Sequence, residues 1–111
     1  MDCSKSDWKL FRERLSGWQE AYMDRLNCEY IEILRGEGNP SDKFWTLEKR
    51  IRQDKRHPGV QVEMRRSTVE SVLVALLMDG VIMQEDLSGF STELQEKVQY
   101  WANRAAEDNN N

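Results

Sequence analysis

The sequence predicts an all-α protein: a single-domain bundle with a long N-terminal helix, about four helices in all and one short helical turn. Three observations lead there. Trp8, Phe11, Leu15, Trp18 and Tyr22 recur at three and four residues, the spacing of one face of a helix. Residues 72–78 are apolar without interruption, too few to cross a bilayer and enough to fill the middle of a core. Only two prolines and six glycines interrupt a chain of 111 residues that is 32% charged, the composition of helices with a solvated surface. That length suits one domain over residues 1–111, with residues 1–6 and 107–111 as disordered tails.

The first helix is expected over residues 7–35. Its strict heptad fails at Arg25, and the stripe continues through Leu26, Tyr30, Ile33 and Leu34. Phe11, Tyr22 and Ile33 are eleven apart, close to the drift of a straight helix, so it should pack on its own domain rather than extend a coiled coil. Gly36 ends it, and Gly38 follows in the loop. The second helix starts at Asn39 as cap, Pro40 as first residue and Asp42 in the first turn, and runs to about Lys55. Phe44, Leu47 and Ile51 are its expected inner face. The break at His57, Pro58 and Gly59 stops it.

Val60, Val62 and Met64 alternate with polar residues and read as an extended connector tucked on the core, since no second strand is there to pair with. The third helix, residues 68–78, organises the rest. Ser67 with Glu70 fits a capping box, and Gly80 can take the left-handed conformation that closes a helix. Residues 84–87 form one helical turn, Phe90 points inward, and Ser91 caps a last helix to about Ala106 with Leu94, Val98 and Trp101 inside.

Charge divides the chain unevenly. Residues 1–36 carry −1, residues 37–66 carry +3 and residues 67–111 carry −6. The basic middle either complements the acidic end inside one fold or marks a partner surface. With no apolar leader segment, no membrane span and only Cys3 and Cys28 as thiols, a reduced cytoplasmic setting is expected.

Motifs of known chemistry are scarce. His57 is the sole histidine and sits at a helix break. There is no G-x-S-x-G, no Gly-rich phosphate loop and no spaced Cys/His set, so no catalytic residue, metal or cofactor is expected. Residues 79–87 resemble half of a calcium loop. Aligning Gly80 with the loop glycine, however, places Ala75 and Leu77 where oxygen ligands are required. A helix-turn-helix reading of the same corner fails on charge, because Glu85, Asp86, Glu93 and Glu96 outnumber Lys97 and Arg104.

The basic middle helix offers more. Trp45, Lys49, Arg52 and Arg56 share one helical face, with Arg65 and Arg66 nearby in sequence. A tryptophan among cations suits an acidic protein surface, where Trp and Arg are common anchors, or a stacked base with neutralised phosphates. The plainer alternative is a solvated face with helical ion pairs such as Glu48 with Arg52. Trp8, Trp18 and Tyr22 read mainly as core, and as a dimer surface if they lie outside it.

Three runs carry a family resemblance: residues 18–23 (Trp-Gln-Glu-Ala-Tyr-Met), residues 39–45 (Asn-Pro-Ser-Asp-Lys-Phe-Trp), and residues 79–82 with Glu85, Asp86 and Leu87. In these the chain resembles a family of small uncharacterised all-helical proteins of anaerobic gut bacteria. The resemblance implies one compact helical domain and no catalytic motif. Some members carry a transporter label, which this sequence does not support because no segment could span a membrane. The function expected is a small non-enzymatic protein-interaction or regulatory module. The alternatives are a protein that binds single-stranded nucleic acid or RNA through the same basic face, and a homodimeric structural protein.

Overall fold

The computed structural model describes residues 3–109. The expected tails at residues 1–2 and 110–111 lie outside them. Four helices follow one another: α1 (Lys5–Arg35), α2 (Pro40–Asp54), α3 (Val69–Met78) and α4 (Thr92–Asn109). Two 3₁₀ turns, Arg66–Thr68 and Gln84–Leu87, precede α3 and α4, and no strand occurs among the described residues. The chain is all-α, with a long first helix, and residues 61–65 form an extended connector.

The helix ends follow local chemistry. Ser4 caps α1 by accepting the Asp7 backbone N–H at 3.1 Å, so the helix starts at Lys5 and not at Asp7. Residues 4–6 are therefore cap and helix rather than tail, and α4 likewise runs past Ala106 to Asn109. At the end of α3, Gly80 takes φ +71°. The Val81 N–H then reaches the Leu76 carbonyl at 2.9 Å and the Gly80 N–H the Leu77 carbonyl at 3.3 Å, the paired bonds of a Schellman stop. Ser91 caps α4 through the Leu94 N–H.

Two expected caps do not form. Asn39 stands at the α2 cap position without a side-chain bond. The capping box of Ser67 and Glu70 is replaced by the 3₁₀ turn, where the Thr68 hydroxyl donates to the Arg65 carbonyl at 3.0 Å.

One core joins the N-terminal half of α1 to α3, α4 and their connection. Phe11, Leu15, Val69, Leu73, Leu76, Ile82, Leu87, Phe90, Leu94 and Val98 are all buried together. Burying each such side chain is worth roughly 1.5–3 kcal/mol. Ala102 is buried at the end of α4, whereas Trp101 is 48% exposed and not part of the inner face expected for it. Met64 is exposed too, and of the connector's alternating residues Val62 is the one that packs on the core.

At 1.5 Å per residue α1 is about 46 Å long, close to the molecule's longest dimension of 51 Å. Its C-terminal half runs beyond the core and meets α2. No residue of α2 is buried. Phe44 is 61% exposed, Ile51 is exposed and Leu47 is half-buried, so the expected inner face of this helix looks largely to solvent. No helix is long and apolar enough to cross a membrane among the described residues.

Candidate functional site

The orientation of α2 is set by a polar clamp on its α1 side. The Tyr30 hydroxyl donates to Asp54 Oδ2 at 2.5 Å. Arg50 donates through Nε to the same oxygen at 3.1 Å and through Nη2 to Glu29 Oε1 at 2.7 Å. The Arg50 guanidinium also lies 5.8 Å from the Tyr30 ring centre. Burial, then the bond to Asp54, push the Tyr30 phenol up to about 12. The bond to Glu29, before other causes, raises the Arg50 guanidinium further. A bonded Tyr–Asp–Arg–Glu chain holds four groups in one geometry. Arg50 and Asp54 are turned to α1, and the apolar stripe runs beside them on the helix, from Ile51 at the edge of α1 to Phe44 in solvent.

That stripe forms a shallow groove of about 380 Å³ lined by Phe44, Leu47, Glu48, Ile51, Arg52 and Lys55. Ile51 and Lys55 also line a second cleft, of about 300 Å³, which reaches across to Leu26 and Tyr30 on α1 and to Val60. Ile51 and Lys55 thus stand between the two. Trp45 stands beside the groove, 63% exposed and edge-on to Phe44 with ring centres 5.0 Å apart.

The predicted basic residues divide. Trp45, Lys49 and Arg52 are brought together on α2, all exposed, and Arg52 belongs to the groove wall as well. Arg52 is bonded to Glu48 one turn earlier, through Nε at 3.2 Å. Arg56 is exposed but lies just past the helix, its N–H on the Gln53 carbonyl. Arg65 pairs with Glu63 at 2.5 Å on the connector. Arg66 leaves the set: its Nε donates to the Cys3 carbonyl at 2.7 Å, half-buried, and fastens the start of the chain to the turn before α3. Burial and the Asp7 carboxylate push the neighbouring Cys3 thiol up, away from a reactive thiolate.

The stripe of Trp8, Trp18 and Tyr22 is partly buried within the fold. Trp8 and Trp18 pack on the core, and Trp8 stacks on Phe11. Tyr22 lies between three neighbours: the His57 ring with centres 4.8 Å apart, the Arg25 guanidinium at 4.8 Å, and the backbone of Gly59.

His57 has both ring nitrogens engaged. The Gly59 N–H donates to Nδ1 at 2.9 Å, so the proton sits on Nε2, which donates to Asp79 Oδ2 at 2.6 Å. Asp86, the other acid of the calcium-like segment, accepts from the Met83 N–H at 2.7 Å. Both carboxylates thus serve local structure. Among the described residues no group of three His, Cys, Asp or Glu side chains could hold a metal.

Sequence reasoning missed two arrangements. One is the clamp on α2, whose members lie on separate helices with no shared motif. The other is Asp7, buried at 3% exposure and bonded to Ser91. A signal for the latter was present, since Ser4 and Asp7 have the three-residue spacing of a helix start. Compared with protein-family models, curated proteins and solved structures, the chain matches none.

Proposed function

We propose that this chain is a small protein-interaction or regulatory module without catalytic activity, and that the outward face of α2 is its contact surface. The observation that carries this reading is that α2 buries no residue while Phe44 and Trp45 are 61% and 63% exposed. Large side chains grouped on one exposed face forgo their burial energy in the free chain and recover it against a partner. Tryptophan and arginine are the side chains that most often anchor such contacts. Two free cysteines accord with a reduced, cytoplasmic setting. The two engaged nitrogens of His57 leave it occupied in structure rather than free for proton transfer.

Nucleic acid is less well served by the same face. Glu48 lies in the groove wall and holds Arg52, so a phosphate approaching Arg52 also meets a carboxylate. The test is a tagged purification from the source cells with and without nuclease. A stoichiometric protein that survives nuclease and is released by Phe44→Ala with Arg52→Ala supports the reading. Nuclease-sensitive nucleic acid, or a partner indifferent to both substitutions, overturns it.

A further inference from the structure

The groove on α2 has a charge as well as a shape. Residues 40–56 carry six Lys/Arg against three Asp/Glu, a net +3. Arg50 is consumed by the clamp and Arg52 by Glu48. Lys43, Lys49, Lys55 and Arg56 make no ion pair within the described residues. Lys55 stands where the groove meets the cleft toward α1. A second copy presenting the same face would bring +3 against +3, so charge disfavours a symmetric pairing through α2. Charge therefore favours a negative occupant.

Its shape follows from the stripe. Phe44, Leu47, Ile51 and Lys55 step along α2 at intervals of three and four, the row into which a neighbouring helix packs. The helix is 15 residues long, about 22 Å or four turns. The groove is lined by α2 and Lys55, and α1 enters at the neighbouring cleft that shares Ile51 and Lys55, so a helix laid on the stripe would be the third beside α1 and α2. Aliphatic side chains and Phe44 make the floor, which suits apolar side chains at helical spacing better than a row of stacked bases.

Resting on the reading of α2 as the contact surface, we propose that this face takes an acidic amphipathic helix from a partner protein. The helix lies along α2, with apolar side chains over Phe44, Leu47 and Ile51 and carboxylates against Lys55. Apolar burial supplies the affinity and the cations select the partner's charge.

The test uses the full chain and two fluorescein-labelled synthetic helices of about 18 residues, end-capped, with Leu at heptad positions. One carries Glu at the flanking positions and the other carries Lys. Anisotropy at 0.1 M salt should give a Kd of about 10 μM for the Glu helix and binding at least about tenfold weaker for the Lys helix. Phe44→Ala and Lys55→Glu, each checked for intact helicity, should each weaken the Glu helix about fivefold or more. Equal binding of both helices, no binding of either, or binding unchanged by Phe44→Ala overturns the proposal. So does a single-stranded oligonucleotide that displaces the Glu helix while itself binding more tightly, or a concentration-dependent mass increase that Phe44→Ala abolishes. If the peptides fail while Phe44→Ala still releases an identified partner in the purification, the contact face stands and the acidic helix alone is lost.

Discussion

The Asp7 carboxylate accepts both the backbone N–H of Ser91 at 2.7 Å and its hydroxyl at 2.6 Å. Residues 84 apart in sequence thereby join the first turn of α1 to the cap of α4. The Ser91 oxygen in turn accepts the Leu94 N–H at 3.2 Å. One buried carboxylate thus sits at the positive ends of two helices, where a negative charge is favoured. Hydrogen bonds to a charged group are worth about 1.5–3 kcal/mol each. Asp7→Ala should therefore cost about 3 kcal/mol, and Asp7→Asn, which keeps the shape and loses the charge, about half of that. Urea unfolding followed by circular dichroism measures both. A change under about 0.5 kcal/mol for Asp7→Ala would mean that the two helices hold together without this link.

The outward α2 face makes a different prediction. Leu73 has no exposed surface, and Leu73→Ala should cost about 2–5 kcal/mol. Phe44→Ala and Trp45→Ala should each stay within about 0.5 kcal/mol, because both side chains are mostly in water. The same unfolding midpoints decide it. If Phe44→Ala proved as costly as Leu73→Ala, α2 would pack on the domain and the contact surface would not exist.

Gly59 is held to a glycine by Tyr22. A Cβ on residue 59 would lie 2.4 Å from Cδ2 of the Tyr22 ring and 2.9 Å from Cγ, with no room between them. Gly59→Ala should destabilise by about 1–3 kcal/mol through overpacking. Tyr22→Ala removes the ring, so its cost and that of Gly59→Ala should be less than additive by about 1 kcal/mol or more. Full additivity in the double-mutant cycle would show that the two residues do not touch.

Alkaline pH should loosen the hairpin of α1 and α2. The Tyr30 phenol titrates at about 12 in the folded chain against the ordinary value of 10. The folded state therefore holds the proton more tightly than the unfolded state, and stability falls as pH rises above 10. This contribution is whole below pH 10 and gone above about 12. Burial raises Tyr22 in the same direction. Asp54→Asn should lower the last phenolate step in an ultraviolet titration and flatten the stability loss between pH 10 and 12. An unchanged last step would detach Tyr30 from Asp54.

Much of the architecture is legible in local pattern. The stripe from Trp8 to Leu34, Pro40 at a first helical position, Gly80 at a stop and Ser91 at a cap all fall where the helices begin, run or end. Each of these signals acts through backbone dihedrals or bonds within one turn, which neighbours in sequence supply. The misplacements have a common cause. Phe44, Leu47 and Ile51 form an apolar row on α2, and Trp101 continues one on α4, yet periodicity says only that a face is apolar. It does not say which element covers that face.

By itself the sequence determined an all-α chain, the length of α1, the apolar centre of α3 and the excess of positive charge around α2. Tertiary structure alone decided which way α2 turns. Tyr30, Arg50, Asp54 and Glu29 come from two helices, and their bonds exist only once those helices lie side by side. Hydrogen bonds to charged groups are strong, so Arg50 and Asp54 are held to α1, and Phe44 on the same helix is left to solvent.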